Sequence, residues 1–352
     1  MGFIMHMLCT TMVLMALGAD GAEIKREFIY EKAPFPQCHA STIAESDLGL
    51  VTAWFGGTAE KNPDVGIWVS RQEAGTWTAP VEVANGIQPD GKRHPCWNPV
   101  LFQPKDAPLM LFYKVGPSPT TWWGELKTST DGGKTWSAAR KLPEGILGPI
   151  KNKPIQLADG TIISPTSSEE NKKGGRWKVH FEVSKDAGKT WTKVEPAEDA
   201  SGKIIHAIQP SILIHDQNHL QALGRSRGGR IFETTSKDGG KSWSPLEYTK
   251  LPNPNSGTDA VTLKEGVFFL VYNHTTLLRS PLNLARSRDG KNWEAVLVLE
   301  KEPGEYSYPA IIQTKDGMLH ITYTWKRQKV RHVVLDPRKL NGPPIIDGKW
   351  EK

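Results

Sequence analysis

The 352-residue sequence predicts an all-β protein that folds as a single six-bladed β-propeller. Its composition includes 33 Gly, 26 Pro and 13 Trp, which favours many short strands joined by tight turns. A short motif ending in Trp also recurs at a spacing of about 50 residues, the repeat length typical of propeller blades. The same composition excludes disordered and collagen-like chains.

The recurring motif is an eight-residue segment with the pattern Ser-x-Asp-x-Gly-x-Ser/Thr-Trp. Near-identical copies occupy residues 129–136, 184–191 and 236–243, a copy one residue shorter occupies 287–293, and residues 70–77 keep only its Ser, Gly and Trp. We expect the Asp to bond the backbone two residues further on and the Gly to adopt the left-handed conformation of a tight turn. The Trp is expected to bury its ring beside that turn.

Short alternating or apolar runs bounded by turn signals separate the motifs, as expected of strands. Examples are residues 161–164, 212–214, 267–271 and 319–323. About 330 residues at this spacing make six blades, the sixth formed after residue 300 and closed by a strand near residues 25–32. No linker interrupts the pattern, so residues 23–352 are predicted to form one domain.

The N-terminal region differs from the rest and is predicted to be a signal peptide. Five of the seven Met residues lie in the first 15 positions, and the apolar stretch over residues 3–17 is too short to span a bilayer. Small residues follow at positions 19, 21 and 22. We therefore predict a signal peptide over residues 1–22 and a secreted or periplasmic protein, with a buried N-terminal strand or a misassigned start codon as the alternative. No other segment is predicted to span a membrane.

Charge and cysteine content limit the classes of function. The net charge of +6 is spread along the chain, so we predict no nucleic-acid partner and favour an acidic small substrate. The basic run 326–331 is interpreted as a solvated strand edge. Cys38 and Cys96 allow at most one disulfide. No Cys pair or His cluster has metal-ligand spacing, and we predict no metal and no cofactor. The protein is separately predicted to be a monomer.

The eight-residue motifs resemble the Asp boxes, or BNR repeats, of the sialidase (neuraminidase) superfamily. Four or five such boxes at blade spacing imply a six-bladed propeller of sialidase type. They say less about activity, because Asp boxes lie away from the active centre and the same propeller carries hydrolases, lyases and binding proteins. Sialidases as a family hold the substrate carboxylate with three arginines and use an Asp acid/base and a Tyr nucleophile activated by a Glu.

Two arginines match family positions. Arg279 precedes the serine of a motif, Ser287, by eight residues, and Arg225 ends a strand before the motif at 236–243. The resemblance implies that both bind the carboxylate of an acidic sugar, a task that suits the bidentate guanidinium fork. The alternative for each is a surface arginine in a solvated ion pair.

Four further residues complete the candidate site. Asp64, in a turn before an apolar strand, resembles the family's acid/base, with a purely turn-forming role as the alternative. Tyr308 resembles the nucleophile, and Tyr306 is the alternative. Asn98 and Lys151 belong to polar clusters that each begin a strand, and are predicted to line the substrate-binding rim.

Two positions depart from the family pattern. His39 stands where the first triad Arg is expected, and Gln209 stands where the activating Glu is expected, sixteen residues before Arg225. Gln209 is retained as a substrate-binding candidate, although an amide cannot accept the proton of a phenol whose ordinary pKa is about 10. His39 is either functional or a histidine bonded within its strand.

Three hypotheses about function follow. The favoured one is an exo-α-sialidase-type hydrolase that removes a terminal acidic sugar from glycans. The second is a polysaccharide lyase in which His39 removes the C5 proton of a uronic acid and Tyr308 protonates the leaving oxygen. The third is a carbohydrate-binding propeller without catalysis.

Overall fold

A computed structural model describes residues 21–170 and 174–350. The predicted signal peptide, residues 1–22, lies outside the described residues except for Gly21 and Ala22. Within the described ranges the single helix is a 3₁₀ turn, Pro337–Lys339, and no helix there is long and apolar enough to cross a membrane.

The strands form six antiparallel sheets arranged as blades in a ring, which confirms the predicted six-bladed propeller. In chain order they are β1 (Glu23–Phe28), β2 (Gln37–Ser46), β3 (Gly49–Gly57), β4 (Gly66–Glu73), β5 (Thr76–Trp77), β6 (Val81–Ala84), β7 (Cys96–Phe102), β8 (Leu109–Val115), β9 (Trp123–Ser129), β10 (Arg140–Lys141), β11 (Ile155–Gln156), β12 (Ile162–Glu169), β13 (Trp177–Ser184), β14 (Thr192–Val194), β15 (Ala207–Ile214), β16 (Leu220–Ser226), β17 (Arg230–Ser236), β18 (Glu247–Pro252), β19 (Asp259–Thr262), β20 (Phe268–Tyr272), β21 (Leu282–Ser287), β22 (Trp293–Glu300), β23 (Tyr306–Gln313), β24 (Leu319–Trp325) and β25 (Lys329–Leu335).

Each blade follows the order of the chain except the last. Blade 1 runs from β2 to β5 with β6 paired to β4, and blades 2 to 5 take the next four strands in turn. Blade 6 has the order β23, β24, β25, β1, so the N-terminal strand closes the ring as predicted. In that pair Glu27 lies opposite His332.

The apolar core is divided among clusters, several of which lie between neighbouring blades. One cluster joins blades 1 and 2 and includes Phe55 and Tyr113; another joins blades 5 and 6 and includes Phe269 and Tyr323. Burial of each such side chain stabilises the fold by about 1.5–3 kcal/mol. The clusters therefore hold each blade against its neighbours.

The Asp boxes lie on the turn between the third and fourth strands of blades 2 to 5. In the first box Ser129 Oγ donates to Asp131 Oδ1 (2.7 Å), and the Asp131 carboxylate accepts bonds from Thr135 N (2.8 Å) and Oγ1 (2.6 Å). The carboxylate thus bonds the backbone four residues on, not two as predicted, because the longer turn brings Thr135 over it. In the shorter box Asp289 does bond Lys291 N, two residues on (2.9 Å).

The boxes define one face of the ring. A Cβ at Gly132, in the first box, would lie 2.8 Å from the Cβ of Leu48, which is in the turn at the end of β2. The starts of the innermost strands lie at the opposite face. The candidate site residues are found on that second face.

Four of the six innermost strands begin with a β-bulge. In each, the register shifts across a residue with positive φ: Ala40 (57°) in β2, Asn98 (39°) in β7, Gln209 (57°) in β15 and Tyr308 (51°) in β23. Bulges redirect side chains, and a non-glycine residue in this region costs roughly 1–3 kcal/mol. The bulges therefore present three predicted site residues at one face of the ring, at a cost in backbone energy.

Cys38 and Cys96 are both free and buried, so they do not form a disulfide with each other. Burial raises the pKa of Cys38 to about 12 and also raises that of Cys96. Both behave as small apolar core side chains.

Candidate active site

Tyr308 lies at the centre of the candidate site. Its Oη accepts a hydrogen bond from Arg225 Nη1 (2.7 Å), and Gln209 Nε2 lies 3.5 Å from the same oxygen. Arg225 also donates to Gln209 Oε1 (3.3 Å) and, through Nε, to Asn255 Oδ1 (2.9 Å). The His39 ring lies against the Tyr308 ring, with centroids 4.1 Å apart. Four predicted residues from blades 1, 4 and 6 thus meet around one phenol.

Two guanidinium groups flank the Tyr308 ring. Their central carbons are 5.8 Å (Arg225) and 5.6 Å (Arg279) from the ring centroid, within cation–π range. Arg225 ends the second strand of its blade, and Arg279 lies in the connection after the second strand of the next blade. Two cations therefore lie beside one phenol at this face of the ring.

His39 is buried, and its Nδ1 lies 3.1 Å from Thr324 Oγ1. Burial holds its pKa well below the usual value, and nearby cations lower it further. In order of effect these cations are Arg327, Arg279, Arg225 and Lys151. The imidazole is therefore neutral at pH 7 and can accept a proton, although only as a weak base.

Arg327 is the arginine that sequence analysis missed. Its Nε donates to Glu305 Oε1 (2.6 Å) and its Nη1 to Glu60 Oε2 (2.7 Å), while Arg279 Nη1 donates to the same Glu305 oxygen (2.7 Å). Burial raises the pKa of Glu305, but Arg327 and Arg279 outweigh burial and hold this pKa below its usual value. Glu305 thus ties two guanidinium groups together.

The position of Arg327 contradicts the interpretation of run 326–331 as a solvated edge, at least at this residue. Only 26% of its side chain is exposed. Lys326 and Arg327 both have positive φ (52° and 59°), and Arg327 O accepts a hydrogen bond from Cys38 N of blade 1 (2.8 Å). The turn therefore folds against blade 1. Its place shortly after the second strand of a blade, as for Arg279, is the signal that could have identified it.

Asp64 lies outside this hydrogen-bonded cluster. Its Oδ2 accepts from Thr58 N (2.8 Å) and its Oδ1 from Thr58 Oγ1 (2.9 Å), which closes the turn between β3 and β4. Glu60, in the same turn, is the carboxylate that reaches Arg327. The contacts that Asp64 makes are those of the turn-forming alternative.

A further carboxyl, that of Glu169, lies near Arg225 at the end of β12, opposite Trp177. Burial raises the pKa of Glu169, although Arg225, a hydrogen bond from Trp177 and Arg227 oppose the rise. The Arg225 guanidinium is 5.3 Å from the Trp177 ring centroid. Glu169 follows two serines at the end of its strand, a context that carries no sequence signal of a functional carboxyl.

The remaining candidates are placed differently. Asn98 is buried at the β7 bulge, and within residues 21–170 and 174–350 its side chain bonds none of the other site residues. Lys151 is 3% exposed and donates to the Thr258 (3.1 Å) and Pro309 carbonyl oxygens. Its side-chain nitrogen is therefore directed into the centre of the ring of blades and not towards an exposed rim. Tyr306, the alternative to Tyr308, is buried in the cluster between blades 5 and 6.

Comparison with known proteins identifies the family. The profile of the BNR repeat-like domain matches residues 49–321. The chain belongs to the BNR repeat-like domain family. It is thereby a member of the sialidase superfamily, as its Asp boxes imply.

Relatives of this BNR repeat-like domain include a sialidase from Bacteroides fragilis, 27% identical over 139 residues. That match covers 37% of this chain and 24% of the relative, so it spans about a quarter of the relative's length. Two solved structures share the fold. One is a protein of unknown function from Dyadobacter fermentans (TM-score 0.73, 18% identity, 89% of this chain and 98% of that chain).

The other is the intramolecular trans-sialidase from Ruminococcus gnavus in complex with oseltamivir carboxylate. Its TM-score is 0.72 at 14% identity, over 92% of this chain and 100% of that chain. At these identities the likeness establishes the propeller fold of the BNR repeat-like domain.

Proposed function

We propose that this propeller is a glycosidase that hydrolyses a terminal acidic sugar from glycans, as an exo-α-sialidase does. The carrying observation is the cluster around Tyr308, in which Arg225 binds the phenolic oxygen and Arg279 lies beside the ring. In a sialoside the carboxylate is attached to the anomeric carbon. Arginines that bind this carboxylate therefore bring the carbon next to Tyr308. The named sialidase and trans-sialidase relatives support this substrate class.

In this proposal Tyr308 is the nucleophile. Its Oη forms a bond to the anomeric carbon while the bond to the leaving oxygen breaks, and water then cleaves the tyrosyl intermediate. Gln209 cannot take the phenol proton, so the proton is lost to water. The N–H groups of Arg225 and Gln209 then stabilise the negative charge on the oxygen.

The acid that protonates the leaving oxygen is one of two carboxyls. Asp64 has the family's position, and proton donation from it requires one of its bonds to Thr58 to open. Glu169 has a raised pKa, which suits a proton donor near neutral pH. Comparison of the Asp64→Asn and Glu169→Gln variants decides between them. The acid is the residue whose substitution lowers activity on a substrate with a poor leaving group but has little effect on a substrate with a good one.

A lyase is the second candidate, favoured by the contact of neutral His39 with Tyr308. His39 would remove the C5 proton of a uronic acid. The C4–O bond would break as a C4–C5 double bond forms, and Tyr308 would protonate the leaving oxygen. The depressed pKa of His39 makes it a weak base, so we rank this reaction below hydrolysis.

The test uses purified protein with a fluorogenic sialoside and with a uronate-capped oligosaccharide. Release of sialic acid supports the hydrolase, and an unsaturated product that absorbs ultraviolet light supports the lyase. Binding of either glycan without product would favour the carbohydrate-binding alternative. If the protein forms no product from either glycan and binds neither of them, the acidic-sugar site is refuted. Export directed by residues 1–22 belongs to the same proposal, and N-terminal sequencing of the protein isolated from its host tests it.

A further inference from the structure

We infer that three consecutive residues in the connection leading into blade 3, Lys151, Asn152 and Lys153, cross-link the centre of the ring and position Tyr308 and Gln209. We call residues 151–153 the central cross-link. The inference rests on the proposed function, because it assigns these residues a role in the same site. Lys151 thereby changes from a substrate-binding candidate to a positioning residue.

The first two residues hold the two bulges that carry site side chains. Lys151 Nζ donates to Pro309 O, the carbonyl directly after Tyr308, and to Thr258 O at 3.1 Å. Asn152 Nδ2 donates to the carbonyl oxygen of Gln209 itself (2.9 Å). Both side chains are almost completely buried, so water does not compete for these bonds.

The third residue ties the same segment to the other blades. Lys153 Nζ donates to Asp259 Oδ2 (2.9 Å) and Ala260 O (2.9 Å) in blade 5. Asp259 is 2% exposed, and it also accepts bonds from Ser211 Oγ in blade 4 (2.9 Å) and Ile311 N in blade 6 (2.9 Å). The central cross-link therefore connects the start of blade 3 to blades 4, 5 and 6 through polar contacts that are buried at Lys151 and Asn152 and partly buried at Lys153.

The two bulges need such support because their backbones are unfavourable. Tyr308 and Gln209 have φ of 51° and 57°, a region that non-glycine residues occupy only when surrounding contacts enforce it. The Tyr308 hydroxyl must also stay in position to accept the 2.7 Å hydrogen bond from Arg225. A displacement of about 1 Å at a reacting group can lower the rate about 100-fold.

Lys151 can serve in either protonation state. Burial lowers its pKa to about 7, with Asp259 opposing this shift and Lys153 and Arg225 adding to it. A neutral amine has two N–H groups, which match the two carbonyl acceptors. The contacts to Thr258 and Pro309 therefore do not depend on the charge.

Lys151→Met is the central test, because Met keeps the length of the side chain and removes its donors. The matched control is Gln221→Met. Gln221 is also buried and donates across a blade boundary to a carbonyl, Gly290 O (3.0 Å), but at the Asp-box face. Asn152→Leu, which removes one bond, is the second test if Lys151→Met does not fold.

The first readout requires no substrate. With 3-fluorotyrosine incorporated, the ¹⁹F resonance of Tyr308 is assigned from its absence in Tyr308→Phe. We expect Lys151→Met or Asn152→Leu to shift or split this resonance and Gln221→Met to leave it unchanged. An unchanged Tyr308 resonance in folded cross-link variants would overturn the inference, and so would an equal change in the control.

The second readout is turnover of the fluorogenic sialoside. We expect Lys151→Met to lower kcat about tenfold or more with KM changed less than about twofold, because Arg225 and Arg279, the arginines proposed to bind the carboxylate, are unchanged. A rise in KM alone would mean that Lys151 contacts substrate and would refute the positioning role. If the wild-type protein hydrolyses no sialoside, the proposed function fails, while the ¹⁹F result still decides the cross-link.

Discussion

The two faces of the ring are built on different principles. At the Asp-box face each turn is completed by its own residues, as where Asp131 binds Ser129 and Thr135, and the pattern repeats from blade to blade. At the opposite face Tyr308 binds Arg225, 83 residues away, and Lys151 reaches Thr258, 107 residues away. Local, repeated contacts build the blades, whereas contacts that occur once and span the ring build the site.

The sharpest test of this division is Tyr308→Phe. We expect activity on the sialoside to fall at least about 1000-fold, because the nucleophile is lost, while the fold is retained. Steady-state kinetics and thermal unfolding measured together check both parts. A variant that keeps more than about a tenth of the activity would exclude Tyr308 as the nucleophile.

Two buried lysines in the interior of the propeller should make its stability depend on pH. Burial lowers the pKa of Lys114 and of Lys151 to about 7, below the ordinary 10.5, so between these values the unfolded chain binds more protons. The contribution of these two lysines to stability therefore rises as pH increases from about 7 to about 10, on the order of 3 kcal/mol for each lysine. Urea unfolding at several pH values measures the slope, and Lys114→Met should reduce it by about half. An unchanged slope would mean that Lys114 is not held neutral.

Arg327→Ala tests the arginine that was found only in the structure. We expect KM for the sialoside to rise roughly 10- to 100-fold, since Arg327 shares the Glu305 carboxylate with Arg279, which is proposed to bind the substrate carboxylate. Arg286→Ala is the control, because Arg286 is paired with Glu294 (2.9 Å) on strands β21 and β22, outside the Tyr308 cluster. Equal effects of the two variants would assign Arg327 a structural role only.

The smallest effect is expected at the Asp-box face. Asp131→Ala removes the acceptor for Ser129 and Thr135, and should lower the free energy of unfolding by about 1 kcal/mol with kcat and KM unchanged. Chemical denaturation and kinetics on the same preparation measure both. A clear loss of kcat would contradict the independence of the two faces.

Features that depend on residues close together in the chain can be predicted well from the sequence. The Asp boxes at about 50-residue spacing were sufficient for the six blades, and even the closing strand was expected near its position, because each blade repeats a local pattern. Two local details differ from expectation: the Asp131 carboxylate bonds the backbone four residues on instead of two, and the partner of Asp64 has no signal in the sequence. Thr58 binds the Asp64 carboxylate from six residues away, and an Asp in a turn gives no sign in advance of which hydroxyl it will bind.

The site was predictable only where a family resemblance supplied positions. Arg225, Gln209 and Tyr308 were chosen that way, and they do meet. Arg327 has no matching motif, and its position depends on the last blade docking against Cys38 of the first. Lys151 is predicted to line the substrate-binding rim, but the direction of its side chain depends on residues more than 100 positions further along the chain. Contacts of this kind leave no periodic trace in the sequence.

The closing strand has a consequence for synthesis. Translation produces β1 first, but β1 pairs with β25, the last strand, so its edge stays unpaired until almost the whole chain has left the ribosome. An open edge invites pairing with other chains, and charged side chains discourage it. Four of the six residues of β1, Glu23, Lys25, Arg26 and Glu27, are charged. The charged side chains of β1 therefore disfavour aggregation through its unpaired edge before the ring closes.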